Sequence, residues 1–363
     1  MLNRRLLLAS LAVSTVAPSA LAEDNALEAL RAQNGAPALA GAAFDDKTTL
    51  ALEVAGLRKV SGSDPATTAD QWHIGSNTKA MTAALYGRLV DQGRARWGAM
   101  LSDLFPDLGL DPGFAKVTIE QLLGHRAGLL DAPVLQGPYM LKALQDKRPL
   151  VEQRAELAGR LLTVAPAGTV GDFAYSNIGY ILAGAAIERI TGQSWEEAIS
   201  AQLFEPLGIA TAGFGAPTGA NPWGHRGAAG GLSPVDPTGF ADNPAVMGPA
   251  GRVHIALSDY GRFLRLFLTR GGKLLKPATV ERLTTPVAGD GRAYALGWGV
   301  STPPWGGGPV LGHEGSNTMW HAVAFVAPAR RMAFVGAVNA PPPATKQVAR
   351  TEAERLRTRF IPG

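Results

Sequence analysis

The stretch IGSNTKAMTAAL, Ile74 to Leu85, decides how this chain folds. A serine stands at the mouth of a run of good helix formers, and a lysine follows three residues later. The run predicts a helix over Asn77 to Asp91, stopped at Gly93. Residues i and i+3 share one face of a helix. Two readings of the pair are open. Ser76 caps the helix and Lys79 is a solvated surface cation, or Lys79 takes the proton of Ser76. A serine hydroxyl is a weak nucleophile and needs a base beside it. At a helix start it also lies among free backbone N–H groups, which can stabilise an oxyanion.

Outward from this helix the apolar pattern changes with position. Toward the N-terminus, Ala38 to Phe44 and Thr49 to Ala55 read as strands around a polar Asp45-Asp46-Lys47 turn. A short helix over Asn25 to Gln33 precedes them. Toward the C-terminus, Ala295 to Ser301, Val310 to His313, Met319 to Val326 and Arg331 to Val338 are short apolar runs between Gly, Pro and Asn. A last helix is expected over Thr345 to Arg359. Between the ends the pattern is helical, over Thr118 to Leu123, Val151 to Leu162, Ile178 to Ile190, Ser194 to Leu203 and Leu257 to Leu268. The expected class is therefore α+β, with an antiparallel sheet built from both chain ends, flanked by helices, and a largely helical inserted region. One domain is expected over 23–363, its α/β part at about 23–75 and 250–363 and its helical part at about 76–249. Gly213 to Gly251 and Thr302 to Gly308 are rich in Gly and Pro and read as long loops around a site.

Composition bounds the function. The 363 residues suffice for a sizeable core, and 46% hydrophobic with 18% charged residues excludes global disorder. The absence of cysteine excludes disulfides, a thiol nucleophile and a cysteine zinc site. Met1 to Ala22 reads as an export signal: Arg4 and Arg5, the apolar Leu6 to Ala17, then the small-x-small site Ala20-Leu21-Ala22. Its paired arginines fit a twin-arginine or a general secretion signal. The rival reading is an uncleaved anchor, which would make the protein a tethered scaffold. Once cleaved, the chain begins near Glu23, is periplasmic or secreted, and keeps no stable membrane insertion. The net charge of +4 falls by two without Arg4 and Arg5, too little to call for nucleic acid.

Two further motifs bear on Ser76 and Lys79. Tyr175-Ser176-Asn177 precedes an apolar helix, and His313-Glu314-Gly315 ends a strand. Singly, each has a plain reading: Tyr175 as a strand-end aromatic, Asn177 as a helix cap, His313 as a turn histidine. Together and in order they resemble the β-lactamase-related serine hydrolases, the group of class C β-lactamases, D-alanyl-D-alanine carboxypeptidases and esterases. That family carries Ser-x-x-Lys, Tyr-x-Asn and Lys/His-x-Gly in this order. The stretches TIEQLLGHRAGL, TGQSWEEAISAQLFEPLGI, PAGRVHIALSDYGRFL and GSNTMW are similar to the family's connecting segments, so the resemblance runs from Ala38 to Asn339.

The resemblance implies a β-lactamase/transpeptidase-like fold and a set of roles. Ser76 would be the acylated nucleophile, with Lys79 and Tyr175 sharing the work of the base. Free tyrosine and lysine side chains titrate near about 10 and about 10.4, so neither serves as a base at neutral pH unless its surroundings shift it. Placed together, two such groups share a proton as a pair. Asn177 would orient Lys79 and bind a substrate amide or carbonyl. The N–H groups of Ser76 and Ser316 would form the oxyanion hole. His313 would lie on the sheet edge facing Tyr175, and Gly315 would let substrate approach the strand. Glu314 departs from the hydroxyl residue or glycine often found in the middle of the third motif. A carboxylate facing the site would repel anions, which predicts a preference for neutral or cationic acyl substrates; the plain alternative is that Glu314 points away.

Other constellations fail. His313-Glu314 begins like His-Glu-x-x-His, but position 317 is Asn. Gly-x-Ser-x-Gly and the phosphate-binding loop are both absent. His125 reads as structural, holding a loop near the site. Trp223, Trp298, Trp305 and Trp320 are candidates for an acyl pocket, for the core or for anchoring loops. The expected protein is a serine hydrolase acting through a Ser76 acyl-enzyme on small ester or amide substrates, β-lactams and D-amino-acid peptides included, with no metal or organic cofactor. The alternative is a non-catalytic periplasmic binding protein for cell-wall peptides on the same scaffold.

Overall fold

The computed structural model describes residues 20–132, 134–135, 138–228 and 231–362. Most of the expected leader, Met1 to Ala22, lies outside these residues. Its last three residues open a helix, Ala20–Gln33.

The strands in chain order are β1 (Ala38–Asp45), β2 (Thr49–Gly56), β3 (Gln71–His73), β4 (Gly213–Phe214), β5 (Gly224–Arg226), β6 (Ser233–Val235), β7 (Val253–Ala256), β8 (Gly299–Ser301), β9 (Val310–Ser316), β10 (His321–Ala327) and β11 (Met332–Val338). Six of them form an antiparallel sheet in the order β2-β1-β11-β10-β9-β8, so both chain ends build one sheet. The join between the ends is β1 on β11, with Leu39 opposite Val338 and Phe44 opposite Ala333.

Side chains alternate across a strand, and this sheet is apolar on both faces. Leu39, Ala43, Val323, Phe334 and Val338 pack with Leu27 of the first helix and with Val348, Ala353 and Leu356 of the last, Val348–Phe360. Ala40, Ala42, Phe44, Ala322, Ala324, Val335 and Ala337 face the opposite way. There they meet Phe263, Leu264 and Phe267 of helix Leu257–Leu268 and join a core shared with the helical region. That second face holds the helix Thr78–Asp91, nearly all of it buried, and beside it helix Asn177–Thr191.

Where expectation and structure differ, local geometry gives the reason. The strand expected from Ala295 begins only at Gly299, because Ala295 N bonds back to Trp298 O at 2.8 Å in a tight turn. The strand expected from Met319 begins at His321, because the Asn317 side chain accepts from Met319 N and Trp320 N and folds that segment into a turn. The helix from Trp195 changes to a π turn over Ser200–Phe204. A three-stranded sheet, β3-β7-β4, and a pair, β5-β6, were not expected; strands this short carry no readable period. Among the described residues, no helix is long and apolar enough to cross a membrane.

Candidate active site

Ser76 lies in a single 3-10 turn, Gly75–Asn77, that leads from β3 into the helix Thr78–Asp91. Four hydrogen bonds fix this turn. Thr78 Oγ1 donates to Gly75 O at 2.7 Å, Ile74 N donates to Val253 O at 3.0 Å, and Asn77 Nδ2 donates to Ile74 O and, across on β10, to Ala322 O. Gly75 has φ +51°, and a Cβ there would stand 2.4 Å from Ser316 N. A Cβ on Gly315 would stand 2.0 Å from Ile74 O and 2.4 Å from Ser76 N. The two glycines therefore let the nucleophile turn press against the end of β9. The room Gly315 makes is taken by this turn, which corrects the expectation that it makes room for substrate. The same contact brings the backbone N–H groups of Ser76 and Ser316 to one seam.

Lys79 is not a surface cation: it is 0% exposed. Its Nζ lies 2.9 Å from Ser76 Oγ, 2.8 Å from Asn177 Oδ1 and 2.6 Å from Ala250 O. An ammonium has three donors, and here three acceptors meet them. In the neutral amine the lone pair would instead face Ser76 Oγ and accept its proton. The Tyr175 ring stands 4.9 Å from Nζ, and the Tyr180 ring 5.4 Å.

Tyr175 is carried by a loop that His125 holds at two points. Ala174 N donates to His125 O at 2.9 Å and Ser176 N to His125 Nδ1 at 3.1 Å, while the two rings lie 4.3 Å apart. Because a backbone N–H only donates, the neutral imidazole carries its hydrogen on Nε2, which has no partner among the described residues. Burial pushes His125 well below the usual histidine range, and the charge of Lys79 adds to this. The structural reading of His125 fits this geometry.

Asn177 is the first residue of helix Asn177–Thr191; the cap is Ser176, whose Oγ accepts from Gly179 N. The Asn177 amide is aimed by a residue the sequence did not single out. Asp131 accepts from Asn177 Nδ2 at 2.8 Å, Asn177 N at 2.9 Å, Ile178 N at 3.1 Å and Ser176 Oγ at 3.0 Å. With Nδ2 held by the carboxylate, Oδ1 must face Lys79. In the sequence Asp131 lies in HRAGLLDAP with no local sign of this role.

His313 lies on β9 beyond the last residue paired to β8, Gly312, so this stretch of β9 is a free edge toward the site. The His313 and Tyr175 rings are 6.4 Å apart. His313 Nδ1 donates to Glu314 O at 2.7 Å, which leaves Nε2 to accept from Tyr294 Oη at 2.9 Å. Burial, then the charges of Lys79 and Arg292, hold its pKa at about 3. The imidazole is therefore neutral and supplies no positive charge.

Glu314 takes the second of its two readings and points away from Ser76. Strand alternation puts it on the face away from Ser76, where it bonds His321 Nε2 at 3.1 Å and pairs with Arg350 of the last helix. A carboxylate engaged there does not face a ligand at Ser76 itself, so the predicted bias against anions loses its basis at the acyl carbon, while Glu314, paired with Arg350, still borders the cleft along the free edge of β9.

Two clefts open at the site. One, of about 300 Å³, is lined by Ser76, Asn177, Ser316, Leu135, Met140 and Met247 among others. The second, of about 480 Å³, follows the free edge of β9 past Tyr175, Arg292, Tyr294 and His313, with Glu314 and Arg350 on its far wall. No tryptophan lines either cleft. Trp298 and Trp320 are fully buried, Trp223 lies under the Lys59 ammonium, and Trp305 stacks on Arg357.

Comparison with known proteins fits this geometry. The Beta-lactamase family model matches residues 24–359. Penicillin-binding protein 4 of Amycolatopsis lactamdurans is 31% identical over 310 residues, 80% of this chain and 77% of that one. A β-lactamase from Sulfitobacter sp. EE-36 superposes with a TM-score of 0.75 at 21% identity, over 95% of this chain and 99% of that one. The D-amino acid amidase of Ochrobactrum anthropi SV3, solved with L-phenylalanine amide, gives 0.73 at 20% identity, over 93% and 99%. Some curated relatives are longer, and the chain spans 48%, 58% and 59% of three of them. The fold is β-lactamase/transpeptidase-like, as the motif order implied.

Proposed function

Because the chain belongs to the β-lactamase family, a family of serine hydrolases, we propose that it cleaves small esters or amides through an acyl-enzyme on Ser76. The observation that carries this is the buried Lys79 Nζ at 2.9 Å from Ser76 Oγ, with Asn177 Oδ1 and Ala250 O as its other partners. That is hydrogen-bond reach for a general base.

In the proposed reaction the Ser76 proton passes to the Lys79–Tyr175 pair as Oγ bonds to the substrate's carbonyl carbon. The carbonyl oxygen becomes an oxyanion held by the N–H groups of Ser76 and Ser316. The bond to the alcohol or amine then breaks, and the pair returns the proton to that leaving group. Water, activated by the same pair, attacks the acyl carbon and frees the acid and Ser76 Oγ. The acyl group fits the cleft where Leu135, Met140 and Met247 face Asp131, Asn177 and Asn243, so the cleft offers an acyl chain both apolar contact and hydrogen-bond partners. The leaving group lies on the Tyr175 side, along the edge of β9. The protein works outside the cytoplasm if Met1 to Ala22 is its export signal, which N-terminal sequencing of the exported protein tests.

The catalytic reading is tested by intact mass. Wild type and Ser76→Ala are exposed briefly to p-nitrophenyl acetate and quenched in acid. An acetyl adduct on the wild type alone is the expected result. Equal masses, with no p-nitrophenol released above the variant, would favour the non-catalytic binding protein.

A further inference from the structure

Asp242 is a buried carboxylate that the reaction above does not use. Its side chain is 5% exposed and bonds in four directions. Oδ2 accepts from His73 Nε2 at 3.1 Å and from Arg252 Nε at 3.0 Å. Oδ1 accepts from Asn317 Nδ2 at 2.9 Å and from its neighbour Asn243 N at 2.8 Å. Burial opposes the charge, but His73, Arg252 and Asn317 outweigh it and hold the carboxyl at about 2.

Two of these partners lead to the two walls of the oxyanion seam. His73 ends β3, and its Nδ1 accepts from Gly75 N at 3.2 Å, one residue before Ser76. That bond leaves the ring hydrogen on Nε2, where it points at Asp242. On the other wall, Asn317 follows Ser316. Its Nδ2 reaches Asp242 and its Oδ1 accepts from Met319 N and Trp320 N. Ser316 Oγ locks the same turn, donating to Trp320 O at 2.6 Å and accepting from Thr318 N at 2.9 Å. The Trp320 ring closes the circuit by stacking on His73 at 5.7 Å.

We propose that Asp242 is a positioning residue that holds the N–H groups of Ser76 and Ser316 as a matched pair, through His73 on one wall and Asn317 on the other. The two walls come from segments far apart in the chain, and an oxyanion hole works only if both donors stand within about 2.7–3.1 Å of one oxygen. Asp242 joins the two walls through side-chain bonds, which a backbone contact such as Gly75 against Gly315 does not do with direction. The proposal rests on the acyl-enzyme reading of Ser76.

The test uses the full chain and two probes, p-nitrophenyl acetate for turnover and phenylboronic acid for the tetrahedral oxygen. In Asp242→Asn the amide cannot accept from both His73 and Asn317 as the carboxylate does. The expected result is a fall in kcat of about 10- to 100-fold, a matching rise in the boronic acid Ki, and a KM within about twofold. Asn317→Ala leaves Asp242 in place and cuts its link to the second wall together with the Oδ1 bonds to Met319 N and Trp320 N, so an unchanged Ki in this variant counts against the proposal even if Asp242→Asn does not fold. The double variant should lose little beyond the larger single loss. The Arg252 side chain bonds Asp242 but neither wall, so Arg252→Gln removes a charge beside the carboxylate without cutting either link, and its Ki should rise much less than in Asp242→Asn. The proposal is overturned if Asp242→Asn and Asn317→Ala keep the wild-type Ki, or if Arg252→Gln raises it as much as they do. No acyl adduct on the wild type would overturn the Ser76 reading together with this one.

Discussion

Lys79 and Tyr175 form one proposed base, yet their surroundings are opposite. Lys79 is sealed from solvent with three acceptors, whereas Tyr175 is 39% exposed. Tyr175→Phe should therefore leave stability within about 0.5 kcal/mol, as exposed substitutions do. Turnover of p-nitrophenyl acetate should fall about 10²- to 10⁴-fold, the usual range for a lost acid–base group. A urea midpoint and a kcat on the same sample check both halves. A variant that lost midpoint and kept kcat would make Tyr175 a packing residue. Lys79→Met should fail on both counts. It removes the base, and it leaves Ala250 O without its donor, which costs about 1–3 kcal/mol for a buried acceptor. No acetyl adduct should form, and the midpoint should drop; an adduct at the wild-type rate would move the base elsewhere.

At the scale of elements, the site depends on where one helix begins. Asp131 takes three donors from the first turn of helix Asn177–Thr191 and, through the Asn177 amide, points Oδ1 at Lys79. Asp131→Ala should cost about 1–2 kcal/mol as a lost cap and also cut turnover, because the amide is free to flip. Ser176→Ala removes the Oγ bonds to Gly179 N and Asp131 Oδ1 but leaves Asp131 held by Asn177 and Ile178 and the Asp131–Asn177–Lys79 line standing, so its activity loss should be much smaller for a similar stability loss. Equal activity losses in the two variants would mean that Asp131 acts only as a cap. The Asn177–Lys79 half of this line was expected from the motifs, but the Asp131 half was not legible in the sequence, since Asp131 and Asn177 meet only in the fold. What was legible had a period. The strands at Ala38–Asp45 and Met332–Val338 and the helix Leu257–Leu268 carry a repeating apolar pattern, and the expected ranges match the structure within a residue or so. Ser76, Lys79 and Asn177 were found as motifs, and the structure joins all three by hydrogen bonds at Lys79 Nζ. The side on which Glu314 lies was also readable in principle. Leu311, His313 and Gly315 share one face of β9, and two-residue alternation places Glu314 on the other. The three-residue strand Gln71–His73, which positions His73, has no period to read.

Over the whole molecule, the histidines link proton binding to folding. The chain has six, and burial lowers five of them: His125, His225, His254, His313 to about 3 and His321 to about 4. In the unfolded chain each returns to about 6.5. Between those limits the unfolded state holds more protons than the native state, so stability rises with pH and falls on acidification. A ring fully charged in one state and neutral in the other contributes a slope of about 1.4 kcal/mol per pH unit. Two buried carboxylates, Glu188 and Glu352, are raised by burial and act in the opposite sense, above the usual carboxylate value. Five groups against two leave the histidines dominant between about pH 6.5 and 4.5. Urea unfolding at half-unit steps from pH 7.5 to 4.5 should therefore show a loss of several kcal/mol, at nearly constant m-value. A flat profile would mean that the native rings take up protons as readily as the unfolded ones. His125 packs against the Tyr175 ring and His313 lies 6.4 Å from it, so charging them should loosen the packing that holds the site. Loss of activity on acidification should then track the fall in urea midpoint, and refolding at pH 7.5 should restore both together.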